Sequence, residues 1–243
     1  MQAGNPGWKA RIMDTVTPNP STVATFNPAL GIYTVALAWY DNWFHYTPAN
    51  QVPYGRSNWP SLFSQGIQLW FYESNAQGAP YPTFAANTLL GYEPRIMLWG
   101  AWFEHASGFL LWDTTAWTSN NPWGPNDSWG KTGDGVLVYP GNHDGLLAPL
   151  GSPVDVSIDG PIPSYRLKMV RLGLQDWALF SLAESKGLGA YARAQLQTVY
   201  GQLGGCEWQG CPPKLNGQFF WKTDEALMQQ ARHNIAQQIM LTP

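Results

Sequence analysis

Charge is scarce in this sequence: Asp, Glu, Lys and Arg make up 12% of 243 residues, against about 25% in an average globular domain. The net charge is −3 and Lys and Arg are nowhere clustered. That excludes the basic footprint of a nucleic-acid-binding protein. Cysteine is almost absent. Cys206 and Cys211 stand in one Gly- and Pro-rich stretch, where they form either a small disulfide in an oxidising compartment or two inert thiols. No second Cys/His pair lies beside them, and His45, His105, His143 and His233 are scattered, so metal-ligand spacing is missing. The sequence contains no Gly-x-Ser-x-Gly, no P-loop and no dinucleotide fingerprint, and neither a cofactor nor a metal is expected. No apolar run reaches the roughly 18 residues needed to span a bilayer. The opening Met1-Gln2-Ala3-Gly4-Asn5-Pro6-Gly7-Trp8 lacks the charged and apolar regions of a signal peptide. The expectation is a soluble chain without a membrane partner, extracytoplasmic or secreted if a longer parent carries a signal.

What replaces charge is aromatic, small and turn-forming. Apolar residues reach 44%, with 14 Trp, 25 Gly and 20 Pro. Such a chain buries a sizeable core yet keeps wide uncharged surfaces. An indole packs cores well, and in a polar loop its exposed face also fits the C–H face of a sugar ring.

Four short apolar runs, Arg11–Val16, Gly31–Trp39, Ile67–Glu73 and Gly108–Asp113, read as strands buried on both faces. A helix is expected over Tyr92–Ala106, where Ile96, Trp99, Trp102 and Phe103 share one side. A long Trp-, Asn-, Gly- and Pro-rich loop follows the fourth run and extends to about Lys131. Val136–Gly141 reads as a hairpin or short extra strand. Ser164 is placed to cap a helix in which Leu167, Val170, Leu174 and Trp177 keep helical spacing. Further helices are expected over Leu188–Leu203 and from Thr223, the last carrying Leu227, Ala231, Ile235 and Ile239 on one face. Strands alternating with helices argue for α/β. Four strands do not close a barrel, which takes about eight. The expected architecture is a partial (β/α)8 TIM-type barrel, its last four strands within residues 1–186, followed by a C-terminal helical extension over residues 187–243.

Several motifs occur in order between Ile67 and Trp177. Leu69-Trp70-Phe71-Tyr72 and Gly108-Phe109-Leu110-Leu111-Trp112 are followed by Trp117 and Asn121-Pro122-Trp123. Then come Gly133-Asp134-Gly135, Tyr139-Pro140-Gly141, Pro163-Ser164-Tyr165-Arg166-Leu167 and Asp176-Trp177. The set resembles the catalytic domain of glycoside hydrolase family 123, previously described as a domain of unknown function. Two positions depart from the family pattern: Ala178 stands where a Glu is frequent, and Lys168 where an acid is usual.

The resemblance implies retaining hydrolysis of β-linked N-acetylgalactosaminides. The substrate's own acetamido group would be the nucleophile, assisted by an adjacent Asp-Glu pair. In the family that pair lies on an earlier strand than any of the four here, so a missing N-terminal half-barrel is the expected partner and source of the acids. The pair present in this chain, Asp224-Glu225, opens the last helix, where acids favour the helix dipole. Barrel sites lie at the carboxyl ends of strands. The candidate substrate-binding residues are therefore Trp70, Tyr72, Trp112, Asp113, Trp117, Trp123 and Tyr139. Glu73 and Asp113 are candidate general acids, because burial beside an indole favours a carboxyl's neutral form. A hydrogen-bonded loop anchor is the commoner role of an acid at such a rim and is the alternative for both. The alternative to a glycosidase part is a non-catalytic carbohydrate-binding barrel remnant.

Overall fold

The computed structural model describes residues 12–14, 30–36, 40, 59–73, 81–84, 91–115, 136–141, 160–200, 221–222 and 224–243. They form two compact units. The first contains strands β1 (Ile12–Asp14) and β2 (Leu30–Ala36), helix α1 (Trp59–Ser64), β3 (Gln68–Glu73) up to Tyr72, and β4 (Gly108–Leu111) up to Leu110. The second contains Glu73, helix α2 (Glu93–Phe103), the chain from Leu111, and strands β5 (Val138–Tyr139) and β6 (Ile162–Pro163). It also holds helices α3 (Tyr165–Ser185), α4 (Gly189–Tyr200) and α5 (Glu225–Leu241).

The strand order is β1-β2-β3-β4. β2 runs parallel to both β1 and β3, with Thr34 opposite Trp70 and Ala36 opposite Tyr72. Two backbone bonds advance together along β3 and the β4 segment, from Ser107 N–H to Leu69 O and from Trp112 N–H to Glu73 O. That is the parallel sense. β1, β3 and β4 fall inside the apolar runs of the sequence, and β2 starts one residue before its run, at Leu30. Alternation sorts the side chains by face. Tyr33, Val35, Leu69 and Phe71 are buried on one side, where Phe71 meets Tyr40 edge-on at 5.2 Å and Tyr40 meets Trp59 at 6.1 Å. Ile32, Ala36, Gln68, Trp70 and Tyr72 are half-buried on the other side, where Thr34 is fully buried. α1 was not foreseen: its one and a half turns are too short for a periodic signal, and Pro60 sits in its first turn, where a missing N–H is harmless.

In the second unit α2 is buried from Glu93 to Trp102 on all sides, as an apolar helix without a polar face must be. α3 and α4 pack against it. Its last carbonyls, Trp102 O and Phe103 O, accept from Arg193 Nη1 at 3.5 and 2.7 Å, and the guanidinium lies 4.4 Å over the Trp102 ring. A cation there suits the negative end of the helix dipole. Ser164 caps α3 by accepting from Leu167 N–H at 3.1 Å, as its sequence position suggests. The stripe of Leu167, Val170, Leu174 and Trp177, by contrast, is not the buried one. Met169, Gly173, Asp176, Phe180 and Ala183 face inward, and Leu174 is 56% exposed. The helix is turned by its polar anchor: Asp176 accepts from Arg95 at 2.6 Å, Trp99 Nε1 at 2.8 Å and Arg232 at 2.7 Å. Asp224, expected in the first turn of α5, is its N-cap and accepts from Ala226 N–H at 2.9 Å. Among the described residues no helix is long and apolar enough to cross a membrane.

Candidate functional site

In the first unit β3 presents Trp70 and Tyr72 on its half-buried face. Gly108 belongs beside Trp70, since a Cβ on that glycine would collide with the indole. The glycine thus lets a large flat ring lie against the neighbouring strand. Thr34, opposite Trp70 on β2, is almost wholly buried. Neither the Thr34 hydroxyl nor the Trp70 indole N–H has a hydrogen-bond partner among the described residues.

In the second unit the candidate residues begin with Glu73. Its carboxylate is 0% exposed, and Oε1 accepts from the Thr83 hydroxyl at 2.6 Å and Phe84 N–H at 3.2 Å. Thr83 N–H in turn donates to Oε2 of Glu93, equally buried, at 3.0 Å. One threonine therefore joins the carboxylate ending β3 to the one opening α2. Through its carbonyl, Glu73 also receives Trp112 N–H at 3.1 Å. The Trp112 indole is 60% exposed, and no other tryptophan among the described residues is exposed to that degree. The Trp112–Asp113 peptide bond is cis. Asp113 Oδ1 accepts from Thr115 N–H at 2.7 Å, an Asx turn that shapes the chain just past β4.

That turn is held by the Val136–Tyr139 segment. Thr114 O accepts from Leu137 N–H at 2.9 Å, and Thr115 bridges Val136 in antiparallel sense. β5 then pairs antiparallel with β6, placing Tyr139 opposite Ile162. Ser164 N–H donates to Leu137 O at 2.9 Å and Arg166 Nη1 to Val136 O at 3.4 Å. The stretch after Trp112 is thus bonded to residues 136–138, and Val136 and Leu137 are in turn bonded to Arg166 and Ser164 of the Pro-Ser-x-Arg motif.

Of the candidate residues, Trp112, Asp113 and Tyr139 belong to this second unit, while Trp70 and Tyr72 share a face of the first. Trp117 and Trp123, together with Cys206 and Cys211, lie outside the described residues. Of Asp14 only the backbone is described. Glu73 and Asp113 are hydrogen-bonded anchors of local structure. Thr83 and Glu93 escaped the sequence reading, because their link to Glu73 crosses ten positions of sequence at each step that carry no motif. No group of three His, Cys, Asp or Glu among the described residues is arranged to hold a metal ion.

No family model matches the chain, and no curated protein resembles it in sequence. Among solved structures, the chain is similar in fold to a family 123 glycoside hydrolase from Clostridium perfringens, described for glycolipid glycan hydrolysis. The TM-score is 0.57 and the identity 14%, over 96% of this chain and 36% of that one. The chain therefore spans about a third of the enzyme it matches, and at this identity the likeness is one of fold.

Proposed function

We propose that this chain is the C-terminal half of a glycosidase-like (β/α)-barrel, with its half-barrel in residues 1–186 and a helical extension in 187–243. It binds a carbohydrate at the carboxyl ends of its strands. The reading rests above all on Trp112: an indole left 60% exposed at the end of β4, beside a carboxylate fixed in a turn, is what stacking on a sugar ring requires. The fold likeness to a glycan-hydrolysing enzyme supports it. By the motif resemblance Trp70, Tyr72, Trp117, Trp123 and Tyr139 are further candidates for sugar contact. The substrate is a β-linked N-acetylhexosaminide, N-acetylgalactosaminide by the motif resemblance, cleaved with help from its own acetamido group.

The acids for cleavage come from outside the chain. Glu73 and Asp113, the acids at the described rim, are both engaged in holding local structure, which also favours the second reading, a module that binds sugar without cleaving it. Calorimetric titration with N-acetylgalactosamine tests the binding. Removing one aromatic wall costs about 1–3 kcal/mol by analogy with stacked bases, so Trp112→Ala should weaken affinity roughly ten- to a hundred-fold. Equal affinity in the two proteins removes Trp112 from the site.

A further inference from the structure

Thr83 divides its two hydrogen-bond donors between two carboxylates. Its hydroxyl donates to Glu73 Oε1 at 2.6 Å and its backbone N–H to Glu93 Oε2 at 3.0 Å. All three residues are almost wholly buried. The 2.6 Å contact lies at the short end of the range for a hydroxyl donor, and a buried carboxyl group is costly unless it is hydrogen-bonded. The chain around Thr83 is equally closed: Tyr81 and Phe84 are buried, and Phe84 N–H adds a second bond to Glu73 Oε1 at 3.2 Å. The side chain of Glu73 is thereby tied to a packed segment rather than to a mobile one.

The main chain of the same glutamate carries Trp112. Glu73 O accepts from Trp112 N–H at 3.1 Å. Just past the tryptophan, Asp113 Oδ1 accepts from Thr115 N–H at 2.7 Å and Thr114 O from Leu137 N–H at 2.9 Å. The backbone at Trp112 is thus held at its own N–H and immediately after, while the indole stands largely in solvent. A ring that stacks on a ligand loses less conformational freedom on binding when its attachment is already fixed. We propose that Thr83 is a positioning residue of the sugar site: through Glu73 it holds the main chain of Trp112, and with it the indole, in the orientation that stacks on the sugar. Thr83 is too deeply buried to touch a ligand lying on that indole. The inference rests on the reading of Trp112 as a sugar-stacking residue and adds to that site a residue that no sequence motif marks.

Thr83→Val removes the hydroxyl but keeps the branched shape and the backbone N–H, whereas Thr83→Ser keeps the hydroxyl. In calorimetric titrations with N-acetylgalactosamine, well below each melting temperature, Thr83→Val should weaken affinity roughly five- to thirty-fold, the equivalent of ordering about one residue. Thr83→Ser should bind as wild type does, and in a Trp112→Ala background Thr83→Val should bring no further loss. Ile235→Val, a change in the buried face of α5, lowers stability without touching the link and should leave affinity unchanged. With 5-fluorotryptophan in place of the 14 tryptophans, the fluorine line that vanishes in Trp112→Phe reports this indole directly. That line should shift or broaden in Thr83→Val and stay in place in Thr83→Ser and Ile235→Val. Wild-type affinity in Thr83→Val overturns the inference and leaves the sugar site standing. So does an equal loss in Thr83→Ser or in the Trp112→Ala background. If the wild-type chain binds no sugar, the sugar reading fails, and the fluorine line alone decides whether Thr83 holds Trp112. A line that does not move in Thr83→Val overturns the inference in either case.

Discussion

Asp176 and Arg95 form an ion pair 2.6 Å long in which the carboxylate is 1% exposed and the guanidinium 7%. The same carboxylate meets Arg232 at 2.7 Å, but that guanidinium is 41% exposed. The two arms should therefore differ in weight. Removing one partner of a buried pair strands the other charge and costs about 3–5 kcal/mol, whereas a pair with one partner in water gains less, toward the roughly 0–1 kcal/mol of an exposed pair. Arg95→Ala should destabilise the chain by about 3–5 kcal/mol and Arg232→Ala by roughly 1 kcal/mol. Urea denaturation of both variants measures it, and equal losses would mean that burial does not set the strength of this anchor.

Helix packing makes a second outcome predictable in sign. Replacing a glycine inside a helix by alanine ordinarily stabilises by about 1 kcal/mol. At Gly100 in α2, however, a Cβ would overlap the ring and hydroxyl of Tyr200 in α4. Gly100→Ala should instead destabilise by about 1–3 kcal/mol. In a Tyr200→Leu background the same change should cost less, with a coupling of about 0.5–3 kcal/mol. Additivity in that cycle would place the strain elsewhere.

The phenol of Tyr92, ahead of α2, is pushed up to about 12 by burial first, then by Glu225, Glu93 and Asp224. Its folded value lies above its unfolded value, so the folded form holds its proton longer. This group leaves stability untouched below about pH 10, and stability then falls as pH rises toward 12. Tyr92→Phe has no such proton to lose, so its stability relative to wild type should rise over that window. Tyrosinate absorbance should also show one phenol titrating near 12. A stability difference that stays flat from pH 9 to 12, roughly the span of these two values, would contradict it.

What the sequence made legible depended on how local the physics was. The strands could be read because they form continuous apolar runs such as Leu69-Trp70-Phe71-Tyr72, although only alternate residues of that run are fully buried. Ser164 could be read because capping acts within three residues. The inward face of α3 could not, since Leu174 fits a helical stripe as well as Phe180 does. The choice between them is made by Asp176 meeting Arg95 and Trp99 about eighty residues earlier. For the rim, Trp112 was legible as an aromatic at a strand end. The Glu73–Thr83–Glu93 link was not, because its donors are a loop hydroxyl and two backbone N–H groups, and backbone groups leave no mark in composition.

That link decides what Glu73 can do. Its Oε1 is held by Thr83 and Phe84, so the side chain acts as an anchor for the 81–84 segment. Glu73→Gln keeps an acceptor oxygen for both donors, and its cost should stay near the 0.5–1.5 kcal/mol of an ordinary hydrogen bond. Glu73→Ala removes the acceptor that two buried donors share, at up to about 1–3 kcal/mol each, and should be more damaging in a thermal melt. Neither conclusion concerns catalysis directly, so activity gives the sharper test. With acids supplied only from outside the chain, the isolated protein should not hydrolyse an aryl β-N-acetylgalactosaminide, and Glu73→Gln should bind N-acetylgalactosamine as wild type does. Turnover by the wild-type chain that disappears in Glu73→Gln, while Asp113→Asn retains it, would identify Glu73 as the proton donor and overturn its assignment as an anchor.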